Sequence, residues 1–198
     1  MTRLTLKQFS VLNLKPFNLN VNDEIVCLSG ASGAGKSLLL RAIADLDEHK
    51  GEASLDNIAC YDTSPVLWRQ KVGLLPAESA WWMDKVGDHF SNPSHEHFAQ
   101  LGLSLESLNW DVTRCSTGEK QRLAILRLLM QQPKALLLDE ATASLDSENI
   151  LKVESLIKSY SETNRVPVLW VSHDQEQIKR IARRKLILDK TELKEVSV

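Results

Sequence analysis

The 198 residues are 43% hydrophobic and 25% charged at a formal net charge of −2, enough for one sizeable core or one core with a small attached lobe, and without the basic excess of a nucleic-acid surface. Cys27, Cys60 and Cys115 are widely spaced, form no metal-ligand pair and read as reduced thiols of a cytosolic protein. The opening MTRLTLK lacks the apolar centre of a signal peptide, and no apolar run approaches the ~20 residues that cross a bilayer, so a membrane role has to come through a partner.

Arg3–Leu6 alternates polar and apolar side chains, as a half-buried strand does. Ile25–Leu28 is a short apolar strand that runs into a glycine loop. Leu39, Leu40, Ile43 and Leu46 then recur at helical spacing, predicting a helix from about Lys36 to Leu46 that Lys50-Gly51 closes. Val72–Leu75 reads as a strand stopped by Pro76. Residues 77 to about 114 are aromatic, histidine-containing and punctuated; Asn92-Pro93 suits a helix start and Gly102 its end. Residues 77–126 are therefore expected to form a small helical lobe inserted in a core lobe of residues 1–76 and 127–198.

Leu123–Met130 is apolar nearly all round, which predicts a buried helix. Strand Ala135–Leu138, an amphipathic helix around Ile150–Tyr160, strand Val168–Val171, a helix past Ile178 and strand Leu186–Leu188 complete the order. Strands alternating with helices predict an α/β fold with a mostly parallel sheet covered on both faces. Lys179, Arg180, Arg183, Arg184 and Lys185 read as a solvated helix end.

Gly30-Ala31-Ser32-Gly33-Ala34-Gly35-Lys36-Ser37 fits the phosphate loop G-x-x-x-x-G-K-[ST] without a gap, between a predicted strand and a predicted helix. Small residues let successive amides turn inward around phosphates, and the helix N-terminus, reaching Leu38, adds positive potential. Lys36 is placed to reach the β- and γ-phosphates and the Ser37 hydroxyl to ligate Mg²⁺. Leu136-Leu137-Leu138-Asp139-Glu140 supplies the second half of such a site: Asp139 can hold Mg²⁺ and Glu140 can polarise the attacking water.

Cys115-Ser116-Thr117-Gly118-Glu119 resembles the signature loop of ATP-binding cassette (ABC) ATPases, commonly Leu-Ser-Gly-Gly-Gln. Ala143-Ser144-Leu145-Asp146 resembles the family's D-loop, and His173 in "VSHD" its switch histidine. With the phosphate loop and the acidic strand these elements keep the family's order from Gly30 to His173, most of the chain. The stretches "GEKQR", "LLLDEATASLD" and "VLWVSHD" look most like small bacterial transporter ATPase subunits, including those assigned to metal export.

The resemblance implies a P-loop NTPase core and ATP hydrolysis with Mg²⁺, with Glu140 and His173 as catalytic groups. It implies a homodimer or heterodimer of cassettes packed head to tail, in which Ser116 and Gly118 close on the γ-phosphate held by the opposite chain. It also implies a separate transmembrane permease subunit, a peripheral position on the inner face of the cell membrane, and no nucleic-acid partner. Read from the residues alone, Ser116 and Glu119 equally form an ordinary capping box, and both readings can hold. A DNA-repair or chromosome-organising cassette would carry long heptads between phosphate loop and signature, and none is present. A small-molecule kinase would leave residues 115–122 and His173 unexplained, and soluble regulatory cassettes usually come two to a chain.

The chain departs from the family pattern in several places. Pro76-Ala77-Glu78-Ser79 puts Ala77 where a glutamine is usual; Glu78 either serves as a metal or water ligand one position later, or that function is weakened. Thr117 replaces a glycine and would be restricted if the backbone there required φ > 0. No tyrosine near the first strand is available to stack on adenine; Phe9 is expected in the core, and Phe17 stays open. The stretch from Ala77 to Ser116 is short for the family. Of the adjacent Trp81 and Trp82, one is expected exposed where the resemblance puts permease docking, with a lobe core using both rings as the alternative. His95 and His97 would diverge on a helix, so they read as a solvated helix start.

Overall fold

A computed structural model of the chain describes residues 2–197. Strands β3 (Ile25–Ser29), β7 (Ala135–Asp139) and β8 (Val168–Val171) are buried at every position, as strands with both faces covered must be. With β6 (Val72–Leu75) and β9 (Arg184–Asp189) they run parallel in the order β9-β3-β8-β7-β6. β10 (Glu192–Val196) pairs antiparallel on the outer edge of β9, so the predicted sheet is observed with one antiparallel strand added.

A second sheet was not anticipated. β1 (Leu4–Ser10), β2 (Phe17–Val21), β4 (Lys50–Leu55) and β5 (Ile58–Ala59) form an antiparallel sheet in the order β2-β1-β4-β5. Lys50 and Gly51 therefore open a strand instead of closing a helix. Gly51, at φ 84°, sits where the β1–β4 register slips, so close to the Gln8 carbonyl that a Cβ would collide with it.

Helix α1 (Lys36–Ile43) ends before Leu46 by a Schellman closure. Asp45 takes the left-handed position at φ 58°, with Leu46 N–H donating to the Arg41 carbonyl (2.9 Å) and Asp45 N–H to that of Ala42 (3.1 Å). An aspartate there, where glycine is usual, is why the stop was hard to see.

The remaining helices are α2 (Pro65–Lys71), α3 (His95–Gln100), α4 (Thr117–Met130), α5 (Ser147–Asn164) and α6 (Gln175–Ile181). Strand alternation divides the core between the faces of the large sheet. On one face Val26, Leu28 and Leu137 pack with Leu39, Leu40 and Ile43 of α1 and with Leu4, Leu6 and the fully buried Phe9. On the other, Cys27, Leu138 and Trp170 pack with Leu123, Leu126 and Leu129 of α4 and Val153, Leu156 and Ile157 of α5. Each such side chain contributes about 1.5–3 kcal/mol of burial.

Residues 77–116 hold α3 and short 3-10 turns at Gly87–His89, Leu105–Asn109 and Val112–Arg114. Ser94, not Asn92, caps α3: its Oγ accepts from His97 N–H (3.3 Å), whereas the Asn92 amide lies against Met130 Sδ. Gly102 follows at φ 65°, as expected of a helix stop, and His95 and His97 fall in the first turn of α3. Val86, Phe98, Leu101 and Val112 bury this segment against the face of α4.

The basic run is not simply a solvated helix end. Arg180 binds the buried Glu154, and Arg184 lies in β9 with donors to Glu24, Glu195 and the Asn20 carbonyl. The three cysteines are buried and unbridged. No helix among the described residues is long and apolar enough to cross a membrane.

Candidate nucleotide site

Because β3, β8, β7 and β6 are parallel, the segments that leave their carboxyl ends emerge along one edge of the sheet. The loop after β3 is residues 30–37. Gly30 adopts φ 149° and lies so close to the Leu188 carbonyl that a Cβ would strike it. Gly33 (φ 75°) and Gly35 (φ 98°) have open space around them, so conformation alone requires glycine there. Gly35 starts α1 without a side-chain cap and no acidic residue occupies the first turn, which leaves the helix N-terminus open to an anion. Lys36 is 7% exposed, and its Nζ donates to the carbonyls of Gly30 and Ala31, both at 2.9 Å. Ala31, Ser32 and Ser37 are exposed on the loop, with Ala34 and Leu38 half-buried behind them.

Asp139 ends β7, buried, and its carboxylate makes no ion pair among the described residues. Glu140 follows at φ 50°, a left-handed conformation that a glutamate adopts only where its surroundings impose it. His173, from the loop after β8, places Nε2 at 3.1 Å from Glu140 Oε1. The two expected catalytic groups thus meet from neighbouring strands.

Ser116 caps α4 through a reciprocal box. Its Oγ accepts from Glu119 N–H (3.2 Å), and Glu119 Oε2 accepts from Ser116 N–H (2.8 Å). The Ser116 amide first, and the Ser116 hydroxyl that also donates to Oε2 (2.8 Å), hold the Glu119 carboxyl below the usual range. Thr117 is the first helical residue and is not among the positive-φ positions, so the feared restriction does not arise. A Cβ on Gly118 would stand 3.3 Å from the Ser144 carbonyl and 3.4 Å from Leu145, so the start of α4 packs on the 143–146 loop of its own chain. Neither Ser116 nor Gly118 is hydrogen-bonded to residues 30–38 through its side chain or amide.

A family model described as ABC transporter matches residues 14–143. The chain belongs to the ABC transporter family. Over 85% of its length it is 30% identical to a probable iron export ATP-binding protein, FetA, of Escherichia coli (strain K12), spanning 80% of that protein. Over 83% of its length it is 36% identical to the aliphatic sulfonates import ATP-binding protein SsuB 3 of Nocardia farcinica, spanning 66% of that one. A solved dimer of an ATP-binding cassette in a post-hydrolysis state, bound to ADP and Pi, shares 25% identity at a TM-score of 0.82, with 98% of this chain and 99% of that chain covered. The ATP-bound structure of a bacterial Atm1-family ABC exporter, 22% identical, matches the fold over 98% of this cassette at a TM-score of 0.86, and this cassette spans 38% of that chain.

Within the cassette, Glu78 is exposed in the loop after β6 and has no ion pair among the described residues. β6 neighbours β7 with Leu75 opposite Leu138, so this loop leaves the sheet one strand over from Asp139. Beside residues 33–38 lies a groove of about 470 Å³ lined by Val11, Leu12, Leu14, Lys190 and Thr191, with no aromatic ring. Leu12 is 82% exposed there at φ 48°.

Trp82 is 66% exposed, as expected of one of the pair. Trp81 is half-buried, and the Arg127 guanidinium lies 4.4 Å from its ring and 4.9 Å from that of Trp82. Burial lowers the Arg127 pKa from its ordinary value. Sequence reasoning missed the buried polar residues behind the site: Gln121, Thr142, Glu154, Ser172 and Gln177. Polar residues set among apolar ones, such as Glu154 beside Val153, were the available signal.

Proposed function

We propose that this cassette is the ATP-hydrolysing subunit of an ABC transporter, working as a head-to-tail pair on the inner face of the cell membrane through a separate permease. The carrying observation is the 3.1 Å contact of His173 with Glu140 at the sheet edge that also bears the phosphate loop. The amides of residues 30–38 cradle the phosphates, and Lys36, held inside the loop by two carbonyls, turns its ammonium to the β- and γ-oxygens. The base rests in the aliphatic groove beside Leu12. Ser37 and Asp139, with Glu78 one strand away, are the residues that would hold Mg²⁺; the uncommitted Asp139 carboxylate fits that task. When bound, the ion neutralises charge that develops on the phosphates.

Glu140 accepts the proton of the water that attacks the γ-phosphorus, while the His173 ring, 3.1 Å from its carboxylate, limits where that carboxylate can turn. ADP leaves with the pair of electrons of the broken P–O bond. Ser116 and Gly118 act on the partner's nucleotide; in their own chain neither is hydrogen-bonded to residues 30–38, and Gly118 packs on Ser144 and Leu145. The exposed Trp82 and Met83 suit the permease contact. The relatives named for iron export and sulfonate import support a transport role. Glu140→Gln is the test: ATP affinity within about twofold of the parent, turnover lower by about a hundredfold or more, and a stable ATP-bound dimer on gel filtration. Near-normal turnover would remove Glu140 from its role.

A further inference from the structure

Glu140 and His173 lie on loops leaving two adjacent strands; the Glu140 amide donates to the Val171 carbonyl (3.2 Å), and beyond that backbone tie the course of the two loops depends on contacts behind them. A buried polar chain supplies those contacts. Asp174 N–H donates to Ser172 Oγ (3.2 Å), and Ser172 Oγ donates to Gln177 Oε1 (2.7 Å). Gln177 Nε2 in turn donates to Thr142 Oγ1 (2.9 Å) and to Glu154 Oε1 (3.0 Å). Arg180 closes the chain with Nε and Nη2 on the two Glu154 oxygens at 3.0 and 2.7 Å. Because a carboxylate only accepts, the amide nitrogen must be the end that faces Glu154, and the amide oxygen is left for Ser172.

Gln177 is 2% exposed and Glu154 6%, so water does not substitute for either. One carboxamide therefore touches the residue just before His173 and the residue two beyond Glu140. From α4, Gln121 Nε2 holds the same loop by the Ala141 carbonyl (3.2 Å). None of these groups is hydrogen-bonded to residues 30–37.

We propose that Gln177 is a positioning residue for hydrolysis: its buried carboxamide, braced by Glu154 and Arg180, holds the Glu140 and His173 loops in register. This rests on the roles given to Glu140 and His173 above. The charged or titratable groups around the carboxamide are Glu154 on α5, Arg180 on α6, Asp174 at the cap of α6, and the Glu140–His173 pair. Beyond Glu154, the Cys27 thiol of β3 is pushed up to about 12 by burial and by Glu154, so it stays neutral.

The full chain carrying Gln177→Leu and Gln177→Glu, with Glu140→Gln alongside, tests this through kcat, KM for ATP, thermal unfolding and pH profiles. Gln177→Leu strands Ser172, Thr142 and Glu154, and its kcat falls about tenfold or more while KM for ATP stays within about twofold. Gln177→Glu keeps an acceptor for Ser172 and, when protonated, one donor; next to Glu154 its carboxyl titrates high. Its kcat stands near the parent's at about pH 6 and falls about tenfold toward pH 8.5, a descent the parent lacks.

Parent-like kcat in both variants overturns the proposal. So does a Gln177→Glu profile parallel to the parent's, a KM that rises as kcat falls, or losses accounted for by the unfolded fraction. If Glu140→Gln turns over normally, the base assignment fails instead, whatever Gln177 does. If Glu140→Gln is inactive while both Gln177 variants match the parent, only the positioning role fails.

Discussion

Two glycines of the phosphate loop show how one residue type serves different physical ends. At Gly30 the backbone runs against the Leu188 carbonyl, so the absent Cβ is a matter of space as well as of φ. At Gly33 the space is open and only the left-handed φ of 75° excludes other residues. Gly33→Ala should therefore cost about 1–2 kcal/mol, the usual left-handed strain. Gly30→Ala should cost more, by about 1–3 kcal/mol, because β3 and β9 must also separate. Urea midpoints of the two variants check the order, and equal losses would contradict it. The loop was legible because its chemistry demands a contiguous pattern. Leu12 was not, because an exposed leucine carries no pattern at all and only its place in the groove beside the loop marks it.

At the scale of elements, the strands that carry the site were readable as short apolar runs, and β6 and β8 fall at the predicted residues, Val72–Leu75 and Val168–Val171. The antiparallel sheet was not readable. β5 has two residues, β2 is partly exposed, and the partnership of β1 with β4 spans a bulge that breaks alternation. Helix starts misled for a local reason: Asn92 and Ser94 are both good caps, and only the geometry shows which hydroxyl or amide reaches the third residue.

The α4 cap yields a pH prediction. Glu119 has a folded pKa below its ordinary value, chiefly through the Ser116 amide, so its contribution is present above the normal carboxylate range and disappears as pH falls through the folded value. The parent's urea midpoint should thus fall further than that of Glu119→Gln between about pH 6 and pH 3. Parallel lines would show that the box does not titrate with folding.

For the whole molecule, the division of labour along the chain is the main consequence. The phosphate loop, Asp139, Glu140 and His173 share one sheet edge, while Ser116 and Gly118 sit at the start of α4, Gly118 against residues 144 and 145. If the proposed head-to-tail pairing holds, one chain carries halves of two sites, and hydrolysis should rise more steeply than linearly with protein concentration wherever the pair is weak. The net charge of −2 opposes pairing little. Ser116→Arg should leave ATP binding to the single chain intact and abolish nucleotide-driven pairing, whereas Lys36→Ala should weaken ATP binding itself. Mixing the two inactive variants gives hybrid pairs with one intact composite site and one doubly damaged site. ATPase activity, absent from either variant alone, should reappear in the mixture in proportion to hybrid formation. Loss of ATP binding by Ser116→Arg on its own would contradict it, because the turn would then belong to its own chain's pocket.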